Sequence, residues 1–119
     1  MYVPSRGDVV HAFFPYMDEP EDGKYRPCVV MSVRECDFLA LKITSSSVST
    51  PWRYRIIAGS GQITGGDIAH DSWVDITVRA FIPFEDIAYK HGTLRPDVLR
   101  GICALISSAS IAHWKSKRR

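Results

Sequence analysis

The chain has 119 residues, of which 45% are hydrophobic and 24% charged, with a formal net charge of +2. That length suits a single domain over residues 1–119, and the composition excludes a disordered chain. No apolar run approaches the ~20 residues that cross a bilayer, and Met1-Tyr2-Val3-Pro4-Ser5-Arg6 lacks a basic-then-apolar signal pattern, so a cytoplasmic protein with no membrane association is expected.

The first predicted element is a strand over Val9–Phe14, apolar and rich in β-branched and aromatic residues, after the turn Arg6-Gly7-Asp8. Pro15 ends it. Residues 16–25 hold Pro20, Gly23 and the acidic cluster Asp18-Glu19-Pro20-Glu21-Asp22, which predicts a loop. Pro27–Val33 is a continuous apolar run, predicting a strand buried on both faces. Arg34–Asp37 turns the chain into a further strand, Phe38–Thr44. Ser45–Pro51 has turn composition and the length of a mobile loop. Trp52–Ile57 alternates apolar residues with arginine and predicts a half-exposed strand. Gly59, Gly61, Gly65 and Gly66 mark an irregular connection. Ser72–Val78 alternates, and Phe81-Ile82 extends the pattern. Glu85–Tyr89 fits a short helix, a short strand, or both in turn.

The last element is a helix over Asp97–Trp114. Pro96 suits the first helical position and Asp97 the first turn. Val98, Leu99, Ile102, Cys103, Leu105, Ile106 and Ala109 recur at helical spacing on one side, and Lys115–Arg119 forms a basic tail. Short strands followed by one helix predict a mainly β protein: a small barrel of five to seven mostly antiparallel strands with a C-terminal helix packed on it.

Three cysteines, Cys28, Cys36 and Cys103, read as reduced thiols. The four histidines are scattered and no Cys-x-x-Cys pair occurs, so neither a metal nor another cofactor is expected. A net charge of +2 does not by itself indicate nucleic acid.

Three segments, in order, resemble the MazF/PemK (Kid-type) toxins of type II toxin-antitoxin systems. Arg6-Gly7-Asp8-Val9-Val10 with Phe14-Pro15 is similar to the family's opening strand. Tyr25-Arg26-Pro27-Cys28-Val29-Val30 is similar to its Arg-Pro-x-Val-Val strand. Ala40-Leu41-Lys42-Ile43-Thr44-Ser45 is similar to the strand that ends in Ile-Thr-Ser/Gly. Shorter matches follow at Ser72-Trp73-Val74 and His91-Gly92-Thr93-Leu94. The resemblance implies an SH3-like barrel, a homodimer, a cognate antitoxin, and metal-independent cleavage of single-stranded RNA at short sequences. It also implies that Arg26 and Thr44 belong to the catalytic site. The chain departs from the family after its serine-led strand. Val78-Arg79-Ala80-Phe81 stands where members carry Arg-Thr-Ile-Asp, and Trp73 stands two residues before Asp75 where some carry arginine.

The residue types fit that chemistry. When an RNA 2′-hydroxyl attacks the adjacent phosphate, charge grows on the phosphoryl oxygens. Arginine stabilises it through a planar fork of donors that stays protonated. A threonine hydroxyl can orient the same phosphate. His11 and Asp75 are candidates for acid or base, although each reads more readily as an ordinary exposed strand residue. Trp52, Arg53 and Arg55 interleave rings and cations, as in a single-strand RNA platform or in a plain amphipathic strand. Ser45 adjoins Thr44 and joins the RNA-binding candidates. Two other readings stay open: a non-catalytic barrel that binds nucleic acid or protein, and a gyrase-directed toxin of the same fold.

Overall fold

The computed structural model describes residues 2–16, 18, 19, 21–46 and 51–117, with side chains to residue 110. Positions 47–50 of the serine-rich stretch expected to be a mobile loop lie outside the described residues, as do Pro20 of the acidic cluster and Arg118 and Arg119 of the basic tail. Seven strands precede one helix: β1 (Asp8–Pro15), β2 (Gly23–Val33), β3 (Asp37–Thr44), β4 (Arg53–Ile56), β5 (Ile63–Thr64), β6 (Ser72–Pro83) and β7 (Ile87–Leu94), then α1 (Pro96–Lys117). They form one antiparallel sheet in the order β4-β6-β3-β2-β1-β7-β5, curled into a half-barrel.

Both faces of the central strands are buried, because consecutive residues point to opposite sides. Val9, Val29, Leu41 and Ile43 face one core, which α1 covers with Val98, Leu99, Ile102, Leu105 and Ile106. Val10, Ala12, Cys28, Val30, Phe38 and Ala40 face a second core, closed by Ile82 and Phe84. Each fully buried Val or Ile contributes about 1.5–3 kcal/mol by removal of apolar surface from water. Of the run expected to be buried on both faces, Cys28–Val30 are so covered, whereas Ser32 and Val33 at its end are exposed; the helical stripe of α1 packs as its spacing predicts.

Gly7 makes the turn into β1. Its φ is +91°, its N–H donates to the Val30 carbonyl at 2.8 Å, and its carbonyl accepts from Leu94 N–H at 2.9 Å. That backbone conformation favours glycine. Next to it, the buried Asp8 carboxylate accepts from Tyr2 Oη, Ser5 N–H (2.8 Å) and Thr93 Oγ1 (3.1 Å), and Lys90 Nζ lies 3.3 Å away.

The structure corrects several sequence expectations. Trp52 is not in a strand; β4 begins at Arg53. The glycine-rich connection contains the short strand β5, which borrows its order from pairing with β7. Phe84–Asp86 forms a 3₁₀ turn and β7 follows at once, so the ambiguous segment holds both alternatives in turn. The alternation expected through β6 breaks. Leu41 pairs with Arg79 but Lys42 pairs with Asp75, so Ile76–Val78 bulges out. A bulge bends and twists its strand, and here it divides β6 between the two ends of β3. No helix among the described residues is long and apolar enough to cross a membrane.

Candidate functional site

Pro27 has no N–H and cannot donate to a ladder. The β2–β3 ladder ends beside it, at Cys28↔Lys42, although β2 runs back to Gly23 and β3 runs on to Thr44. Beyond that point β2 keeps only β1 and β3 keeps only β6. The two strands form a fork, and a cleft of about 300 Å³ opens in it. Arg26 and Pro27 line one prong of the cleft; Ile43, Thr44 and Ser45 line the other. Continued by two residues, the register would set Arg26 opposite Thr44.

The cleft is electropositive. Arg26, half-buried, has a buried Nε with no hydrogen-bond partner among the described residues. Burial lowers its pKa, and Tyr16 and Cys28 oppose that only in part. Lys24 lines the cleft as well. Burial, then the charge of Arg26, also lowers the pKa of Lys42; Asp75 opposes this, and Arg53 and Lys24 reinforce it. The Thr44 Oγ1 accepts Ser46 N–H at 3.2 Å, which leaves its own hydrogen to donate.

The opposite wall comes from β1 and β7. His11 sits opposite Tyr89 in the register, and their rings stack at 4.7 Å and 7°. Tyr25 lies on the far side of His11 at 6.5 Å and 10°. Tyr25 and Tyr89 are both more than half exposed. Val9 pairs with Gly92 and Val10 with Lys90, so His91 is the extra residue of a β-bulge. Bulges re-aim side chains, and here the His91 Nε2 lies 3.0 Å from the His11 Nδ1. Burial lowers the pKa of His11. Burial, then the charge of His11, lowers that of His91, against a hydrogen bond to the Asp67 backbone. Gly66 braces this bulge: a Cβ there would lie 1.8 Å from the His91 carbonyl oxygen.

Of the residues singled out by sequence, Arg26, Thr44, Ser45 and His11 line this one cleft. Asp75, Trp52, Arg53 and Arg55 do not. Asp75 is buried instead, accepting Thr77 N–H at 3.0 Å and Thr77 Oγ1 at 2.6 Å, with the Arg53 Nε at 3.5 Å. Arg53 reaches on to the Ser46 carbonyl at 2.8 Å, so the pair braces the prong that carries Thr44. Arg55 lies over the Trp73 ring and 3.5 Å from Asp71. Trp52 packs against the core under α1. Neither Trp52 nor Trp73 is among the exposed large apolar residues. Sequence reasoning missed Lys24, Tyr25, Tyr89 and His91. The motif His91-Gly92-Thr93-Leu94 was visible, but the pairing of His91 with a histidine 80 positions earlier was not. Among the described residues, no group of three or more His, Cys, Asp or Glu is placed to hold a metal ion.

A family model described as a PemK-like, MazF-like toxin of type II toxin-antitoxin system matches residues 5–109. No curated protein matches the chain. Among solved structures it is similar to MazF (Form-I) from Deinococcus radiodurans, with a TM-score of 0.72 and 19% identity over 92% of this chain and 97% of that one. It is also similar to an endoribonuclease in complex with its cognate antitoxin from a mycobacterial species, with a TM-score of 0.67 and 15% identity over 89% and 93% of the two chains. The Mycobacterium tuberculosis toxin MazF-mt6 gives 0.63 and 16% over 85% and 94%. At these identities the likeness is one of fold.

Proposed function

The chain belongs to the PemK-like, MazF-like toxin family of type II toxin-antitoxin systems, and from that premise we propose that it is a sequence-selective endoribonuclease that cleaves single-stranded RNA by 2′-hydroxyl transesterification without a metal ion. The observation that carries this reading is Arg26. A buried polar atom ordinarily has a partner, and an orphan calls for an explanation. The Arg26 Nε has none among the described residues and no ion pair with them, yet the residue lines an open cleft. A guanidinium left in that state fits an anion that arrives from outside.

The mechanism follows from the cleft. A phosphodiester seated between the prongs meets the fork of Arg26 and the free hydroxyl hydrogen of Thr44. As the 2′-oxygen attacks, negative charge grows on the two non-bridging phosphoryl oxygens, and Arg26 stabilises that state more than the ground state. That differential stabilisation is catalysis. Lys24 and Lys42 add a positive field that draws the strand in. The exposed rings of Tyr25 and Tyr89 offer flat surfaces for unpaired bases. The products are a 2′,3′-cyclic phosphate and a 5′-hydroxyl.

The same positive cleft suits the carboxylates of a cognate antitoxin segment that orders on binding. One structurally similar endoribonuclease is itself seen in complex with its antitoxin. A homodimer belongs to the same proposal, and sedimentation at micromolar concentration tests it. The deciding experiment is cleavage of a single-stranded RNA library, with end-group analysis. An identical DNA strand, or one 2′-deoxy substitution at the cut, is expected to block the reaction, and a chelator to leave it unchanged. Cleavage that needs magnesium, or that leaves a 5′-phosphate, would refute the mechanism. Tight RNA binding with no cleavage would instead favour the non-catalytic barrel.

A further inference from the structure

Transesterification needs a group that takes the 2′-hydroxyl proton, and Arg26 is unsuited, since arginine stays protonated. Among the described residues that line the cleft there is no aspartate or glutamate. Tyrosine and lysine hold their protons at neutral pH, with ordinary pKa values near 10. The remaining candidates are His11, His70 and His91.

Geometry separates the three. His70 is exposed, and no ring contact or hydrogen bond fixes its imidazole among the described residues. His91 has no nitrogen to spare. Its Nε2 lies 3.0 Å from the His11 Nδ1, where one ring donates and the other accepts according to the tautomer, which leaves its Nδ1 for the Asp67 backbone. With the His91 hydrogen on Nδ1 towards that backbone, Nε2 of the neutral ring is the acceptor and His11 supplies an Nδ1–H. This assigns the His11 tautomer: hydrogen on Nδ1, lone pair on Nε2. The stacked ring of Tyr89 holds the imidazole plane.

We propose that His11 is the general base of the cleavage reaction, acting through Nε2, and that His91 is the positioning residue that fixes its tautomer. The assignment rests on the RNA-cleaving reading given above. His11 Nε2 takes the proton from the 2′-oxygen, the O2′–P bond forms, and the P–O5′ bond breaks. The departing 5′-oxygen takes a proton from water, and His11 later releases its own to solvent. The role of His91 matches that of the carboxylate behind a catalytic histidine, with a neutral ring in place of the charge.

The groups that face His11 are Tyr25 from β2 and Tyr89 and His91 from β7; Lys24, Arg26 and His70 share the cleft. None carries a negative charge at neutral pH, and burial disfavours a charged ring, so His11 is neutral at pH 7 and competent as a base. Activity is lost as pH falls through the His11 pKa, which lies below the ordinary value of about 6.5.

The test is the pH–rate profile for cleavage of a single-stranded RNA that the protein cuts, with normal and 5′-phosphorothiolate leaving groups. His11→Gln is expected to lose about 10²-fold or more and to lose the acid limb of the profile. The sulfur leaving group, which needs no proton, is not expected to rescue it. His91→Ala is expected to lose less and His91→Gln less again, because a side-chain amide oxygen can still accept the Nδ1–H. Nitrogen-15 spectra of the unliganded protein are expected to show His11 with its hydrogen on Nδ1, and far-ultraviolet dichroism checks that each variant is folded. A folded His11→Gln that keeps its rate and acid limb, while Arg26→Ala is inactive, would overturn this assignment and leave the proposed function standing. Rescue of His11→Gln by the sulfur leaving group would overturn it too, by making His11 the acid. A wild-type chain that cuts no RNA would overturn both.

Discussion

Asp8 and Arg26 are two charged groups withdrawn from water, and they end differently. Asp8 is almost wholly buried, and its carboxylate is surrounded by donors: Tyr2, Ser5, Thr93 and Lys90. Burial pushes its pKa up, but those bonds outweigh it and hold the carboxyl below its ordinary range. Arg26 has a buried Nε with no partner among the described residues, and its burial is offset only in part. A satisfied buried charge joins segments of the chain; Asp8 ties the N-terminal residues to β7. An unsatisfied one costs stability and is retained where something else will complete it. The Arg53–Asp75 pair is intermediate, an ion pair at 3.5 Å placed to brace the prong that bears Thr44.

That contrast can be broken by mutation. The largest effect is expected for Arg26→Ala, a loss of about 10²–10³-fold in cleavage rate, as for removal of one preorganised donor. Its unfolding free energy should be unchanged or slightly raised, because an uncompensated buried cation is gone. Arg26→Lys should recover little, since an ammonium cannot reproduce the two-pronged geometry. Single-turnover kinetics beside urea unfolding measures both quantities. A large stability loss in Arg26→Ala would erase the distinction between the two sites.

Asp8→Asn should show the opposite pattern, with about 1–3 kcal/mol lost from stability and little change in the rate of the folded fraction. The pH dependence sharpens this. A carboxyl whose folded pKa is depressed contributes stability that is complete above its unfolded value, near 3.9, and is lost as pH falls through the folded one. Wild type should therefore exceed Asp8→Asn above about pH 4, and the two curves should converge in more acid solution. Equal stabilities at pH 7 would contradict the tethering role.

Smaller effects are expected at Thr44. Loss of one hydroxyl hydrogen bond that serves to orient the phosphate, about 0.5–1.5 kcal/mol, corresponds to roughly two- to tenfold in rate. Thr44→Ser keeps the hydroxyl and should lie closer to wild type. If Thr44→Ala matched Arg26→Ala, the hydroxyl would have a role beyond orientation.

The sequence by itself determined the mainly β fold and its last helix, because the period of apolar residues states which face is buried. Val98, Leu99, Ile102, Leu105 and Ile106 mark a helix face, and Cys28 to Val30, flanked by Pro27 and rich in β-branched residues, mark a strand covered on both sides. It also held Arg26-Pro27 and Ile43-Thr44 as recognisable local motifs, whose placement beside one cleft needs only the pairing of two neighbouring strands. Tertiary structure decided the rest. Trp52-Arg53-Tyr54-Arg55 reads the same whether it faces RNA or the helix; packing turned Trp52 towards the core under α1 and set Arg53 on Asp75. Asp75 looked like an exposed carboxylate until the three-residue bulge of β6 drew it inward. The His11–His91 pair depends on a bulge in β7 and on which strand lies beside β1, a pairing across 80 positions that no local pattern states. Periodicity records burial, which is a property of one element. A catalytic arrangement is set by register between elements, and register is fixed only when the whole sheet has closed.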